Sequence, residues 1–327
     1  MIYEVIVDIS TSQTDKVFDY KGEDIEVGSR VAVPFGNRTI EGFVVGQKEA
    51  SDVPPQKLKS IQRQLDDFTA INLDMLDLCA YMRKKNHLRL VDALRLAIPS
   101  EMRQNRIAPL VKRKAKLNGL LTEEQIFATL SKTAKTQRAA LEYIKQNGDT
   151  LTELLNKKFG SSITKTLLQK GLIEVYDVTI NRKPYKTVQD KSLSHTLTPD
   201  QSAVVEKITT ETDKKFLLWG VTGSGKTEVY MTVIEYFVKQ GKTAIMLVPE
   251  ISLTPNMLKL FRGRFGDTVA ILHSGLSAGE RYDEWLRLKR GEAKIAIGAR
   301  SAVFAPLTDI GVIIIDEEQD SSYFSDS

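Results

Sequence analysis

Gly220-Val221-Thr222-Gly223-Ser224-Gly225-Lys226-Thr227 is the stretch on which the fold turns, because it matches the phosphate-loop pattern G-x-x-x-x-G-K-[ST]. It stands where that chemistry needs it. The apolar run KFLLWG before it reads as a buried strand, and TEVYMTVIEYFVKQ after it reads as a helix. Glycines let backbone N–H groups curl around phosphate oxygens, and the helix that follows points its positive end at the same anion. Lys226 is expected to reach the β- and γ-phosphates of ATP and Thr227 to ligate Mg2+, with Gly220, Thr222, Gly223, Ser224 and Gly225 forming the cradle.

Downstream, the apolar strands TAIMLVP, TVAILH, AKIAIGA and GVIIIDEE alternate with the helical stretches LTPNMLKLFRGRF and SAGERYDEWLRLKR, the pattern of a parallel sheet covered on both faces. The last strand, 311–315, runs abruptly into Asp316, Glu317 and Glu318, and burying those charges without a cation is costly. Asp316 is therefore expected to hold Mg2+, directly or through water, and Glu317 to polarise the water attacking the γ-phosphate. Lys226, Thr227, Asp316 and Glu317 are the candidate catalytic residues. Gln201, in LTPDQ, carries an amide suited to both a donor and an acceptor of adenine; the alternative is a surface glutamine at a helix start.

Working outward, residues 1–105 open with short alternating strands, IYEVIVDI, KVFDY, SRVAVPF and RTIEGFVVGQ, and close with the helical LDMLDLCAYMRKK, so a small β-rich domain with a helical cap is expected. Residues 106–185 suggest several short helices ending in the extended LIEVYDVTI, the order of a winged helix. In such a fold the helix before the wing, here 162–170 with Lys165, Gln169 and Lys170, either enters a DNA groove or serves in protein packing. A polar linker at 186–196 leads to the RecA-like lobe at 197–327. The fold class expected is thus multidomain α/β.

Composition narrows the function classes. The 327 residues include a single cysteine, Cys79, which excludes an internal disulfide and any Cys-x-x-Cys zinc site within them. No apolar run approaches the roughly 20 residues that span a bilayer, and the N-terminus lacks the form of a signal peptide, so a cytoplasmic protein without a membrane partner is expected. Net charge is only +4, yet basic residues crowd 82–118: Arg83, Lys84, Lys85, Arg89, Arg95, Arg103, Arg106, Lys112, Arg113, Lys114 and Lys116. That run is either a surface for a polyanion or an ordinary solvated face.

GVTGSGKTEVY, LVPEISLTP, LHSGLSAGER, GARSAVFAP and IIIDEEQDSSY occur in one order at helicase spacing, and VFDY at 17–20 and VPFG at 33–36 extend the pattern to the N-terminus. On these motifs the chain resembles the PriA (primosomal protein N′) family of superfamily 2 replication-restart helicases. The resemblance implies a 3′-to-5′ ATP-dependent DNA motor that unwinds branched DNA at abandoned forks. Its implied partners are single-stranded DNA, the 3′ end of the leading strand, primosome proteins and single-stranded DNA-binding protein. It implies that Phe18, Asp19, Tyr20, Gly36 and Lys59 capture the 3′ end, that Glu250, Thr254 and Arg300 track the strand, and that Gln319 couples the ATP and DNA sites. Gln319 stands where the family usually has histidine. The chain stops at Ser327, before the family's second motor lobe and cysteine-rich zinc module, so weak turnover by these residues alone is expected, with zinc only in a further part. Two rivals remain: a non-catalytic DNA-end sensor and a P-loop enzyme acting on a small molecule.

Overall fold

The structure is a computed structural model that describes residues 1–103, 107, 109–131, 133–182, 196–211 and 214–324. The expected linker at 186–196 lies outside the described residues except for Thr196. Contacts divide the chain into a larger unit, Met1–Ile107 with Lys183–Ser327, and a smaller one, Ala108–Arg182. Among the described residues no helix is long and apolar enough to cross a membrane.

The larger unit begins with an antiparallel sheet of β1 (Ile2–Val7), β2 (Phe18–Lys21), β3 (Arg30–Phe35), β4 (Arg38–Lys48) and β5 (Arg63–Gln64), in the order β2-β1-β4-β3-β5. The segment 59–65 rolls this sheet toward closure. Ile61 N donates to the carbonyl of Lys21 at 2.8 Å and Gln62 N to that of Ala32 at 2.9 Å, so the segment ties β2 to β3. Alternation along the strands separates two cores. Val5, Val7, Tyr20, Val33 and Val44 fill the inside. Ile6 and Phe43 face outward, yet they too are buried, under α1 (Leu73–Asn86) and α2 (Leu90–Leu96). That second covering explains why Val5-Ile6-Val7 reads as a continuous apolar run.

The smaller unit has β6 (Val111–Leu117) at the centre of a three-stranded antiparallel sheet, between β7 (Thr150–Leu151) and β8 (Ile173–Thr179). Helices α3 (Glu123–Ala128), α4 (Lys135–Asn147), α5 (Thr152–Phe159) and α6 (Ile163–Gln169) pack against it through Ile126, Leu141, Ile144, Leu155 and Leu167. The sequence reading has no strand at 111–117, where VKRKAKL is dominated by charge. Pairing with β8, from Val111 opposite Thr179 to Leu117 opposite Ile173, makes it a strand despite its composition.

The chain then returns to the larger unit with α7 (Pro199–Thr210), α8 (Lys226–Lys239), β9 (Thr243–Leu247), α9 (Pro255–Phe265), β10 (Val269–Leu272), α10 (Ala278–Lys289), β11 (Ile295–Gly298) and β12 (Ile310–Ile315). The four strands form a parallel sheet in the order β10-β11-β9-β12. One expectation is corrected: KFLLWG, 215–220, is not a strand, and Leu217 and Trp219 are 83% and 90% exposed. β12 is an edge strand, with Ile313 and Ile315 exposed. A strand needs a paired neighbour as well as apolar composition, and here that run has none.

The first sheet and the parallel lobe share one core. Tyr282, Trp285 and Leu286 of α10 pack with Ile6, Phe43, Met75, Val91 and Leu94. Arg281 Nη1 meets Glu101 Oε1 at 2.6 Å, and Asn72 Nδ2 donates to the carbonyl of Leu307 at 3.1 Å.

Candidate functional site

In a parallel sheet all strands point the same way, so the loops leaving their C-terminal ends gather along one edge, where ligands of open α/β sheets bind. Four loops do so here. In spatial order they carry His273-Ser274-Gly275 after β10, Ala299-Arg300-Ser301 after β11, Pro249-Glu250 after β9, and Asp316-Glu317 after β12.

The phosphate loop precedes α8. Gly223 and Gly225 have φ of 80° and 81°, backbone that disfavours any side chain, and Gly225 is the N-cap of α8 with no side-chain cap bond. The first N–H groups of that helix therefore have no side-chain cap and can serve an anion. Lys226 Nζ donates to the carbonyls of Gly220 at 2.8 Å and Val221 at 3.2 Å, lying across the mouth of the loop. Thr222 and Ser224 are exposed, and Thr227 is half-buried at the second residue of α8.

Gln201 is tied to this loop, with both ends of its amide in use. Its Oε1 accepts from Thr198 N at 2.9 Å in a capping box, and its Nε2 donates to the carbonyl of Ser224 at 2.9 Å. In this geometry it braces the phosphate loop.

Asp316 is anchored at the end of β12: its N–H donates to the carbonyl of Leu247, and its Oδ1 accepts from Tyr230 Oη at 3.2 Å. Tyr323 Oη donates to its carbonyl at 2.9 Å. Burial and the charge of Asp316 push the Tyr230 phenol well above its ordinary value and the Tyr323 phenol up to about 12, so both stay donors at neutral pH. Glu317 is exposed with φ 48°, left-handed backbone, and Gln319 is exposed in the turn that follows. Tyr230 is missing from the sequence-derived site, although it stands three residues after Thr227 and so on the same helix face. Among the described residues no group of three or more His, Cys, Asp or Glu stands ready to hold a metal. A hydroxyl and a carboxylate beside a phosphate cradle nevertheless form the hard oxygen set that suits Mg2+ completed by phosphate oxygens.

Along the same edge, Glu250 is exposed in a 3-10 turn, and Arg300 is exposed at the start of another. Thr254 caps α9, its side chain accepting from Met257 N at 3.3 Å. His273 Nδ1 accepts from Gly275 N at 3.0 Å, and burial lowers its pKa, favouring neutral imidazole.

In the first sheet, β2 divides the expected end-capture residues between two faces. Phe18 and Tyr20 face inward, Phe18 edge-on to Phe35 at 5.2 Å and Tyr20 only 4% exposed, its hydroxyl donating to the carbonyl of Pro34 at 3.2 Å. Asp19 faces outward, paired with Lys48 Nζ at 2.9 Å and accepting from Ser51 Oγ. Gly36, at φ 57°, has open space where a side chain would stand, and Lys59 Nζ donates to its carbonyl at 3.3 Å. Phe18, Phe35, Gly36 and Lys59 thus share one mouth of the barrel, while Asp19 lies on the other side of its strand and Tyr20 is core.

The basic run 82–118 divides between the two units, and much of it is neutralised: Arg83 by Asp15, Arg89 by Asp92, Arg95 by Asp8, Lys112 by Glu153 and Lys116 by Glu174. Arg106 lies outside the described residues. On α6, Lys165, Gln169 and Lys170 are exposed, with Lys170 Nζ donating to Gln137 Oε1 at 2.7 Å.

A parallel lobe with a phosphate loop, an anchored acidic strand end and a row of polar strand-end loops defines a helicase-type nucleotide-binding lobe, here sharing a core with a small β-barrel. Comparison with known proteins agrees: residues 198–325 match the DEAD/DEAH box helicase model and residues 4–99 match the 3′ DNA-binding domain of PriA. The replication restart protein PriA of Bacillus subtilis (strain 168) is 36% identical over 98% of this chain and 49% of its own length. That of Haemophilus influenzae is 36% identical over 94% and 43%, and that of Treponema pallidum 46% identical over 40% and 20%. The chain belongs to the PriA family of replication restart proteins, and it spans about half the length of the Bacillus relative.

Proposed function

We propose that this chain is the DNA-binding and ATP-binding part of an ATP-dependent DNA helicase of replication restart. The observation that carries the reading is the single sheet edge that gathers Asp316 with Glu250, Arg300 and His273, so that phosphate chemistry and strand contact meet on adjacent loops. ATP with Mg2+ supplies the free energy of strand movement when bound. Lys226, the N–H groups opening α8 and Thr227 hold the phosphates and metal, Asp316 completes the metal's oxygen set, and Tyr230 keeps that carboxylate in place. Glu317 orients the attacking water, and Gln319 passes the state of the site to the strand-end loops. Arg300, Thr254 and Glu250 grip the strand without reading bases, as sequence-independent movement requires.

In this reading 1–105 forms the domain that receives the nascent 3′ end through Phe18, Asp19, Tyr20, Gly36 and Lys59. Residues 106–185 form a winged helix, 186–196 a linker and 197–327 the first motor lobe. Tyr20 contributes from within, by supporting Pro34 beside the mouth. Movement is 3′ to 5′ on branched and single-stranded DNA, and the partners are primosome proteins and single-stranded DNA-binding protein. Turnover by this chain alone is weak, and zinc belongs to a further part of the protein.

The test is a double dissociation. Lys226→Ala is expected to abolish binding of a fluorescent ATP analogue with Mg2+, and any DNA-stimulated hydrolysis, while sparing single-stranded DNA affinity. Arg300→Ala is expected to do the reverse. Unchanged nucleotide binding in Lys226→Ala would remove the phosphate-loop assignment.

A further inference from the structure

Three parts of the lobe hold Asp316. Its carboxylate accepts from Tyr230 Oη at 3.2 Å, and Tyr230 lies on α8, the helix that opens at the phosphate loop. Its N–H donates to the carbonyl of Leu247, the last residue of β9, at 2.9 Å. Its own carbonyl accepts from Tyr323 Oη at 2.9 Å. The first of these holds leads toward the nucleotide. The other two lead into one apolar cluster: Leu247 belongs to it with Ile245, Ala302 and Ala305, and half-buried Tyr323 packs against it. Ala302 is the fully buried centre of the 3-10 turn Arg300–Phe304, so the turn that presents Arg300 is seated on the same cluster.

The Leu247 bond continues the pairing of β12 with β9 and belongs to the sheet. The Tyr323 bond is of another kind, made by one hydroxyl on a turn outside the sheet. Between Asp316 and Tyr323 the chain reverses: Glu317 takes φ 48°, and Asp320 N donates to the carbonyl of Glu317 at 2.8 Å. Asp320 then caps the 3-10 turn Ser321–Tyr323, its side chain accepting from Ser322 N at 2.8 Å. The Tyr323 hydroxyl so closes a loop on Asp316, and Gln319 lies within that loop. A tyrosine side chain has only two torsions before its rigid ring, so a displacement at the hydroxyl reaches the ring.

We propose, resting on the reading of Asp316 as a metal-holding carboxylate and Arg300 as a strand contact, that Tyr323 is a positioning residue linking the two sites. It ties the main chain of Asp316 to the cluster beneath the Arg300 turn and fixes the loop that carries Gln319. A ligand that settles Asp316 then biases the Arg300 turn, and a strand on Arg300 biases Asp316. Such coupling is reciprocal, each ligand changing the other's affinity by the same factor.

The probes are a single strand of thymidines and a non-hydrolysable ATP analogue with Mg2+. Strand affinity is measured with and without saturating analogue, and analogue affinity with and without saturating strand. In the wild-type chain the two ratios are expected to agree and to differ from one by about five-fold. Tyr323→Phe keeps the ring and deletes the hydroxyl. It is expected to bind each ligand alone within about two-fold of wild type, which shows the fold intact, while the ratio falls below about two. A ratio of one in wild type with both ligands bound, or an unchanged ratio in Tyr323→Phe, would overturn the link. Weaker binding of one ligand in Tyr323→Phe with the ratio kept would overturn it equally, leaving Tyr323 a support for the fold alone. Lys226→Ala and Arg300→Ala separate this failure from that of the sites. If the first loses the analogue and the second the strand while Tyr323→Phe keeps the wild-type ratio, the sites stand and only the link falls. If either variant keeps its ligand, the reading of that site falls and the link with it.

Discussion

Arg30 lies in the first sheet at 2% exposure, gripping Asp66 through Nε and Nη2 at 2.7 and 2.9 Å and Glu41 through Nη1 at 2.8 Å. Burial opposes its charge, yet the bonds and charges of Asp66 and Glu41 outweigh that and raise its pKa. Arg30→Met would leave two largely buried carboxylates without their cation, so a loss of about 3–5 kcal/mol is expected in urea unfolding. On β2 two neighbours should behave differently. Tyr20→Ala removes a core ring and is expected to cost about 3–5 kcal/mol of stability, whereas Asp19→Asn changes only an outward pair. If Asp19 senses the strand end, the asparagine variant should stay folded and narrow the discrimination between 3′-hydroxyl and 3′-phosphate oligonucleotides. Fluorescence anisotropy at fixed salt reads this, and undiminished discrimination would remove Asp19 from the site. At the motor end, Tyr230→Phe is expected to raise the Mg2+ needed for half-maximal binding of a fluorescent ATP analogue by about five-fold, the worth of one hydrogen bond. An unchanged Mg2+ requirement would mean that Tyr230 does not position Asp316.

Among the elements, the segment 215–220 is one whose sequence and structure disagree. Its apolar residues read as a strand, yet Phe216, Leu217 and Trp219 stand exposed, and β12 offers an unpaired edge with three exposed isoleucines, Ile310, Ile313 and Ile315. Unpaired strand edges and exposed apolar side chains are both unfavourable. The segment enters the phosphate loop directly, so ligand held by that loop also restrains it. Addition of Mg2+ and a non-hydrolysable ATP analogue is therefore expected to slow amide exchange across 216–219 and β12 together. Protection confined to the phosphate loop and α8 would show that the segment keeps no partnership with that edge. The other motor elements were readable because each declares itself locally: α10 opens with the capping box Ser277 to Glu280, and β9 to β11 are unbroken apolar runs buried on both faces. β5 and β7, of two residues each, carry too little pattern to be read, since pairing alone defines them.

For the molecule as a whole, the shared core around Trp285 makes the first sheet and the parallel lobe depend on each other. Residues 1–107 made alone would lose Tyr282, Trp285 and Leu286, which belong to the same buried core as Met75, Val91 and Leu94, and would expose part of it. That fragment is expected to bind a hydrophobic dye and to melt below the intact chain; equal stability would show that the common core contributes little. DNA affinity of the intact chain should fall with salt by a log–log slope of about −0.7 to −0.9 per phosphate neutralised. Because much of the basic run is internally paired, the total slope should be smaller than its eleven cations suggest. A flat response would exclude a phosphate-contacting surface.

The phosphate loop, the acidic strand end and the order of the helicase motifs were determined by the sequence alone. Their chemistry is local: a glycine must be where φ turns positive, and a lysine and a hydroxyl must follow it within one turn of helix. The same holds for the alternating strands and the capped helices, whose periods are written in consecutive residues. Tertiary structure decided what consecutive residues do not record. It put Phe18 and Asp19 on opposite faces, buried Tyr20, turned the amide of Gln201 onto the loop at Ser224, and made VKRKAKL a central strand. It also joined Trp285 to a sheet more than two hundred residues earlier in the chain. Each of these depends on a partner distant in sequence, and pairing across such distances is settled by which surfaces meet and exclude water, not by the residues on either side.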